Sequence, residues 1–121
     1  MRLILSLLAL SLAAPATAQE APLTLEQKTK LRCAVAFAMT AQLQQTGNAE
    51  AANLPDLRQS GREYFVRSLA IVMDERGWSR DQIEQAALAE ANDLNETGQT
   101  LDTARSCLTL TGLSHDTPST D

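Results

Sequence analysis

Histidine is almost absent from this chain of 121 residues, because the only one is His115, in the polar stretch near the C-terminus. Serine and cysteine nucleophiles need a neighbouring base, which is usually a histidine. Zinc sites need several cysteine, histidine or carboxylate ligands at short spacing, and glycine-rich phosphate-binding motifs are missing too. The sequence therefore predicts no enzyme, no metal site and no cofactor. A pocket with convergent polar groups would reopen the question of catalysis.

The hydrophobic run at residues 3–14 is short, well below the roughly 20 apolar residues that cross a membrane. It follows Arg2 and precedes Ala16-Thr17-Ala18, the small-x-small pattern that signal peptidase recognises. We therefore predict a signal peptide over residues 1–18, cleaved after Ala18, and export to the periplasm. Cys33 lies too far beyond this run to carry a lipid, so no membrane anchor is expected.

Cysteine is scarce as well, and the two residues present, Cys33 and Cys107, lie far apart. They lack the Cys-x-x-Cys spacing that lowers a thiol's pKa in redox proteins. Two cysteines in a small exported chain are typical of a disulfide, which oxidising compartments form and retain. We expect this structural disulfide; two free buried thiols and a redox-active pair are the alternatives.

Basic residues are outnumbered, with ten Lys and Arg against fifteen Asp and Glu and a formal net charge of −5. Loss of Arg2 with the signal peptide makes the exported chain more negative still. Nucleic acids and anionic lipids are bound through basic groups that displace counterions, so neither is an expected partner. The length predicts one domain, at residues 19–113, followed by a disordered tail at residues 114–121.

Strand-like alternation of branched or aromatic residues is also lacking, whereas apolar residues recur at helical spacing. The sequence therefore predicts an all-α fold, a small bundle of about four helices clipped by one disulfide. Residues 30–43, KLRCAVAFAMTAQL, form the centre of the first helix. Because residues 33–39 are apolar on nearly every helical face, this helix needs partners on all sides. Thr24 and Gln27 fit a capping box at its start, and Gly47 marks its end.

The second helix is predicted at residues 55–76, with Asn53 as its cap and a proline in its first turn. Gly61 costs about 1 kcal/mol relative to alanine inside a helix. Two helical pieces, the second capped by Ser60, are therefore the alternative. Gly77 is expected to stop the helix, with Trp78 packed back on the last turn.

The third and fourth helices have clear boundaries in the sequence. Ser79 and Gln82 fit a second capping box, and Gly98 is the expected stop of the third helix. Thr100 is predicted to cap the fourth helix and Gly112 to end it. The disulfide would then join the first helix to the last.

Arg58 and Arg62 lie four residues apart in the predicted second helix, where they would share one face. A pair of guanidinium groups at that spacing can clamp a carboxylate or a phosphate, so we name them as a possible anion-binding face. The alternative is an ordinary solvated surface. The aromatic residues Tyr64, Phe65 and Trp78 are expected to pack in the core rather than to line a ligand site.

Three segments carry a resemblance to known proteins: Leu31-Arg32-Cys33-Ala34 with Phe37-Ala38, Gly61-Arg62-Glu63-Tyr64-Phe65-Val66-Arg67, and Cys107-Leu108. Together they make the chain resemble a set of small, uncharacterised exported proteins of alphaproteobacteria. The resemblance covers most of the exported chain. It implies a periplasmic helical domain with one disulfide and no activity that any residue can be assigned.

Two functional hypotheses follow. The first is a non-catalytic periplasmic interaction or structural domain that presents a helix face to a protein partner or to itself. The second is an acid- or stress-linked holdase that exposes its core when carboxylates are protonated. The general plan of a small helical domain with one long-range disulfide is similar to that of periplasmic acid-stress chaperones.

Overall fold

The computed structural model describes residues 22–113. Within them the chain forms four α-helices and no strand: α1 Leu25–Gln45, α2 Ser60–Arg76, α3 Arg80–Thr97 and α4 Thr100–Thr111. A short 3-10 helix, Ala51–Asn53, lies between α1 and α2. The predicted all-α bundle of four helices is confirmed. The predicted signal peptide at residues 1–18 and the predicted tail at residues 114–121 lie outside the described residues.

α1 is the central helix, and it packs against α2, α3 and α4. Leu31, Ala34, Ala36, Phe37 and Ala41 of α1 are all 0% exposed. Because small and large apolar residues alternate along this helix, each of its faces can accept a neighbouring helix. Residues 33–37 are all buried, so the expectation that this stretch has partners on all sides is confirmed, whereas the first turns of α1 keep an exposed face.

Both predicted capping boxes are present. The Thr24 hydroxyl accepts from the amide of Gln27 at 3.1 Å, and the Gln27 side chain accepts from the amide of Thr24 at 3.1 Å. At the start of α3, Ser79 and Gln82 make the same reciprocal bonds at 3.3 and 2.8 Å. These bonds satisfy amides that the first turn of a helix otherwise leaves without partners.

α2 begins at Ser60, so the predicted start near residue 55 is wrong. The preceding segment is held by the side chain of Gln44 instead. Its amide nitrogen donates to the carbonyls of Ala51 and Pro55 at 3.0 and 2.9 Å, and its oxygen accepts from the amide of Leu57 at 2.8 Å. Because these backbone groups bond to a side chain of α1, the segment has no need of helical hydrogen bonds.

Gly61 does not divide α2, which runs unbroken from Ser60, and Ser60 lies inside the helix rather than at its cap. A Cβ atom at position 61 would lie 3.1 Å from the Cβ of Leu57 and 3.2 Å from the carbonyl oxygen of Phe37. Glycine therefore lets α2 approach the backbone of α1 closely at this point. That close packing offsets the low helix propensity of glycine.

The two later turns between helices are tight. Gly77 has a left-handed φ of 63°, and the amide of Trp78 donates to the carbonyl of Met73 at 3.0 Å, as predicted for this helix end. The predicted cap at Thr100 is wrong, because Thr100 is already the first residue of α4. The amides of Gly98 and Gln99 both bond back to α3, which leaves only two residues for the connection.

Cys33 of α1 and Cys107 of α4 form a disulfide, with 2.07 Å between the sulfurs and 5.5 Å between the Cα atoms. Both residues are 3% exposed, and the described part of the chain contains no free cysteine. The predicted link between the first and last helices is confirmed.

The Thr40 hydroxyl in α1 is fully buried and has no hydrogen-bond partner among residues 22–113. Replacing Thr40 with valine should therefore raise the free energy of unfolding by about 1 kcal/mol, because the desolvated hydroxyl is removed while the branched shape is kept. Urea denaturation measures the change. Thr109→Val, at an exposed position of α4, is the matched control and should be near neutral. A loss of stability in Thr40→Val would contradict this prediction.

Candidate interaction surface

A groove of about 520 Å³ lies where α1, α2 and α4 meet, and we call it the leucine groove. It is lined by Leu25, Glu26, Thr29, Lys30, Cys33, Tyr64, Leu110 and Thr111. Leu25 is 82% exposed and Leu110 is 71% exposed. Single exposed leucines are ordinary on protein surfaces, but two that border one concave apolar surface are typical of a binding site.

The disulfide brings the two sides of the leucine groove together. On α1, Leu25, Thr29 and Cys33 follow one another at intervals of four residues, so they lie in one row along the helix. On α4, Leu110 lies three residues after Cys107 and therefore on the same side of its helix. Because Cys33 and Cys107 are bonded, the two rows lie side by side.

Tyr64 of α2 forms the third side of the leucine groove. Its ring packs edge-on against the buried ring of Phe37, with 5.2 Å between ring centroids and 80° between ring planes. Edge-to-face packing of this kind fixes an aromatic side chain in one orientation. Tyr64 therefore packs against the core, as predicted, and also lines the leucine groove.

Glu26 and Lys30 are the charged residues of the leucine groove, and they lie one helical turn apart on α1. Among the residues that the structure describes, neither belongs to an ion pair; the ion pairs present are made by Arg32, Arg58 and Arg105. The groove therefore combines an apolar centre with one negative and one positive group, which lie at i, i+4 spacing on one helix.

Carboxylates also connect α1 to two of its three neighbouring helices, α2 and α3. Arg32 donates to Asp93 at 2.8 Å and to Glu90 at 3.0 Å on α3. The pKa of the Arg32 guanidinium is raised above its ordinary value, chiefly by the hydrogen bond to Asp93. On the other side, the Gln27 side chain donates to Glu75 of α2 at 2.9 Å. Removing these negative charges would weaken the contacts of α1 with both neighbours.

Arg58 and Arg62 do not lie in one helix, although the predicted anion-binding pair was based on a shared helix face; the pair itself stays a prediction. Arg62 is in the first turn of α2, but Arg58 precedes that helix because α2 begins only at Ser60. The guanidinium of Arg58 donates to both carboxylate oxygens of Asp56, at 2.9 and 2.8 Å. Its charge is therefore balanced by its own neighbour.

The ion pair between Asp56 and Arg58 can be tested by titrating Asp56. Hydrogen bonds from the Arg58 side chain and amide lower the pKa of the Asp56 carboxyl from 3.8 to about 2. A lowered pKa stabilises the fold above pH 3.8, and this contribution is lost as the pH falls through about 2. In Arg58→Gln the pKa of Asp56 should return towards 3.8, as measured by a carboxyl-carbon NMR titration.

Arg62→Gln is the control for that titration, because Arg62 makes no ion pair with Asp56. It should leave the pKa of Asp56 near 2. An ordinary Asp56 pKa in the unmodified protein, or an equal rise in both variants, would contradict the assigned pairing.

Two smaller cavities, each about 250 Å³, lie elsewhere on the described part of the molecule. The polar groups of the first are already engaged, since Gln44 bonds to the loop and Asp56 to Arg58. In the second, Arg105 pairs with Asp102 at 2.8 Å. Within residues 22–113 there is no cluster of three or more metal-ligating side chains and no helix long and apolar enough to cross a membrane.

Comparison with known proteins finds no matching family model, no matching curated protein and no matching solved structure. The resemblance to exported proteins of alphaproteobacteria therefore stays a prediction, and the site has to be interpreted from its geometry. The sequence analysis missed Leu25 and Leu110. The signal that points to them is helical spacing: Leu110 lies two residues after the buried Leu108, and Leu25 lies two residues before the buried Gln27, so each falls on a different helix face.

Proposed function

We propose that this protein is a non-catalytic periplasmic interaction protein whose binding surface is the leucine groove. The observation that carries the proposal is the pair of leucines, 82% and 71% exposed, on the borders of one apolar groove. Burial of apolar surface contributes roughly 25 cal/mol for each Å² removed from water. Leu25 and Leu110 can supply that energy to a complex because the fold itself leaves them uncovered.

The groove is also positioned to keep its shape during binding. Its two sides are joined covalently by the disulfide, and Tyr64 is supported by the buried ring of Phe37. A preformed surface loses little conformational freedom on association, so more of the interaction energy remains as affinity. The periplasmic assignment is supported by the sequence pattern of residues 1–18 and by the disulfide, which oxidising compartments maintain.

Site-specific crosslinking in intact cells tests the binding surface. A photo-reactive amino acid at Thr29, inside the groove, should give a defined protein adduct, and adding Leu25→Ser should remove it. The same amino acid at Leu88 is the matched control, because Leu88 is exposed on α3 and lies outside the groove. Equal adducts from both positions, or none from Thr29, would count against the proposal.

The compartment has its own test. Intact mass of the protein recovered from a periplasmic fraction should correspond to a chain that starts at Gln19 and is two hydrogens lighter than the reduced form. A chain that retains residues 1–18, or that carries two free thiols, would refute the periplasmic assignment.

An acid-linked holdase is the second candidate, supported by the carboxylates that connect α1 to its neighbours. Glu90 and Asp93 bind Arg32, and Glu75 binds Gln27. In this candidate, acid would loosen these contacts and make the apolar faces of α1 accessible. Apolar-dye binding and suppression of client aggregation should both rise as the pH falls from neutral to acid. If neither rises, this candidate is eliminated.

A further inference from the structure

We propose that the leucine groove binds a second copy of this chain, in an antiparallel dimer with α1 against α1 across a twofold axis. This inference rests on the proposed function, in which the groove is the binding surface. Three features of the described residues lead to it: the order of charges on α1, the position of Leu25, and the balance of charge around the groove.

The order of charges on α1 is self-complementary. Glu26 and Lys30 are four residues apart and therefore about 6 Å apart along the helix axis, on one side of the helix. A twofold axis perpendicular to α1 and level with the middle of this pair reverses the order of charges in the second copy. Each Glu26 then lies beside the partner subunit's Lys30. Two reciprocal ion pairs result from a single pattern, as an isologous interface requires.

The same axis places Leu25 opposite the partner's groove. Residue 25 lies about 4.5 Å from the level of the axis, while residues 29 and 33 lie about 1.5 Å and 7.5 Å from it on the other side. In an antiparallel pair, Leu25 therefore falls between the levels of the partner subunit's Thr29 and the partner subunit's Cys33. Both of those residues line the groove. Each copy thus covers Leu25 of the other.

The charges around the groove favour a second copy over a basic or acidic segment of another protein. A basic segment would meet Lys30 with like charge, and an acidic segment would meet Glu26 in the same way. Like charges brought together at an interface select strongly against such partners. A second copy offers one charge of each sign at the required spacing, and it leaves neither Glu26 nor Lys30 unpaired.

Sedimentation equilibrium on protein produced from the full coding sequence tests the dimer, with charge reversals as the probe. The unmodified protein should dimerise. Glu26→Lys and Lys30→Glu should each raise the dimer dissociation constant about tenfold or more, because both ion pairs become repulsive. An equimolar mixture of the two variants should dimerise again, since every Lys then faces a Glu. Recovery in the mixture also shows that both variants are folded.

Glu84→Lys, a charge reversal at an exposed position of α3 outside the groove, is the control and should leave the dimer unchanged. The inference is overturned by an unmodified protein that stays monomeric up to millimolar concentration, by single variants that dimerise as tightly as the unmodified chain, or by a mixture that does not recover. If the protein is monomeric but Thr29 still crosslinks to a different protein, only the dimer is refuted. If the protein neither dimerises nor crosslinks to another protein through Thr29, the proposed binding role of the groove is refuted as well.

Discussion

Replacement of both Cys33 and Cys107 by alanine is expected to lower the free energy of unfolding by about 4 kcal/mol. The bridge joins residues separated by 74 positions, so it closes a loop through most of the described chain. A loop of that length restricts the unfolded ensemble strongly. Since small domains have a net stability of about 5 to 15 kcal/mol, the variant would lose a large share of its stability.

Urea denaturation of the double variant beside Ser106→Ala measures this effect. Ser106 is exposed and adjacent to Cys107, so its replacement should change the free energy of unfolding by less than about 0.5 kcal/mol. The free energy of unfolding should also fall more steeply with urea concentration in the cysteine variant, because an unfolded chain without the cross-link exposes more surface. A loss below about 1 kcal/mol would mean that the bridge adds little to the stabilisation that packing of α1 against α4 provides.

Replacement of Phe37 by alanine should cost about 3 to 5 kcal/mol. Phe37 is 0% exposed in the middle of α1, where its ring contacts Tyr64 and its backbone oxygen lies close to Gly61. Removal of the ring leaves a cavity between α1 and α2 that neighbouring side chains fill only in part. The loss therefore combines lost burial with the cost of the cavity.

Val66→Ala is the control for Phe37→Ala, because Val66 is 66% exposed on α2 and should change the free energy of unfolding by less than about 0.5 kcal/mol. Phe37→Leu, which keeps more of the side-chain volume, should fall between the two. Equal losses in the alanine and leucine variants would show that ring packing, rather than filled volume, determines stability at this position. A small loss in Phe37→Ala would contradict a core centred on α1.

Both substitutions also bear on the leucine groove. The disulfide holds the Leu25 row beside Leu110, and Phe37 supports the ring of Tyr64. A variant that stays folded after either change should bind less tightly, because the surface is no longer held in one shape before association. Stability and binding are thus coupled through the same residues of α1.

Features of the fold that depend on neighbours in sequence were predictable. Each capping box involves residues three positions apart, and the left-handed stop at Gly77 acts on the turn just before it. Side chains and backbone groups this close interact whatever the rest of the chain does. The disulfide was predictable for another reason, since two cysteines allow only one intramolecular pairing.

Features that depend on distant residues were not predictable in this way. Residues 55–59 could have been helical by local propensity, and they are not because Gln44 of α1 takes their hydrogen bonds. The helix start at Ser60 also leaves Arg58 outside α2, where its guanidinium bonds to Asp56.

The sequence by itself determined an all-α chain with four helices, the capping boxes of α1 and α3, and one possible disulfide, because those features arise from local spacing and from the count of cysteines. Only the tertiary structure decided where the leucine groove lies. Leu25 and Leu110 come from opposite ends of the described chain, and each is exposed because its own helix buries a different face. They border one groove because α1 and α4 pack together and are bonded through Cys33 and Cys107.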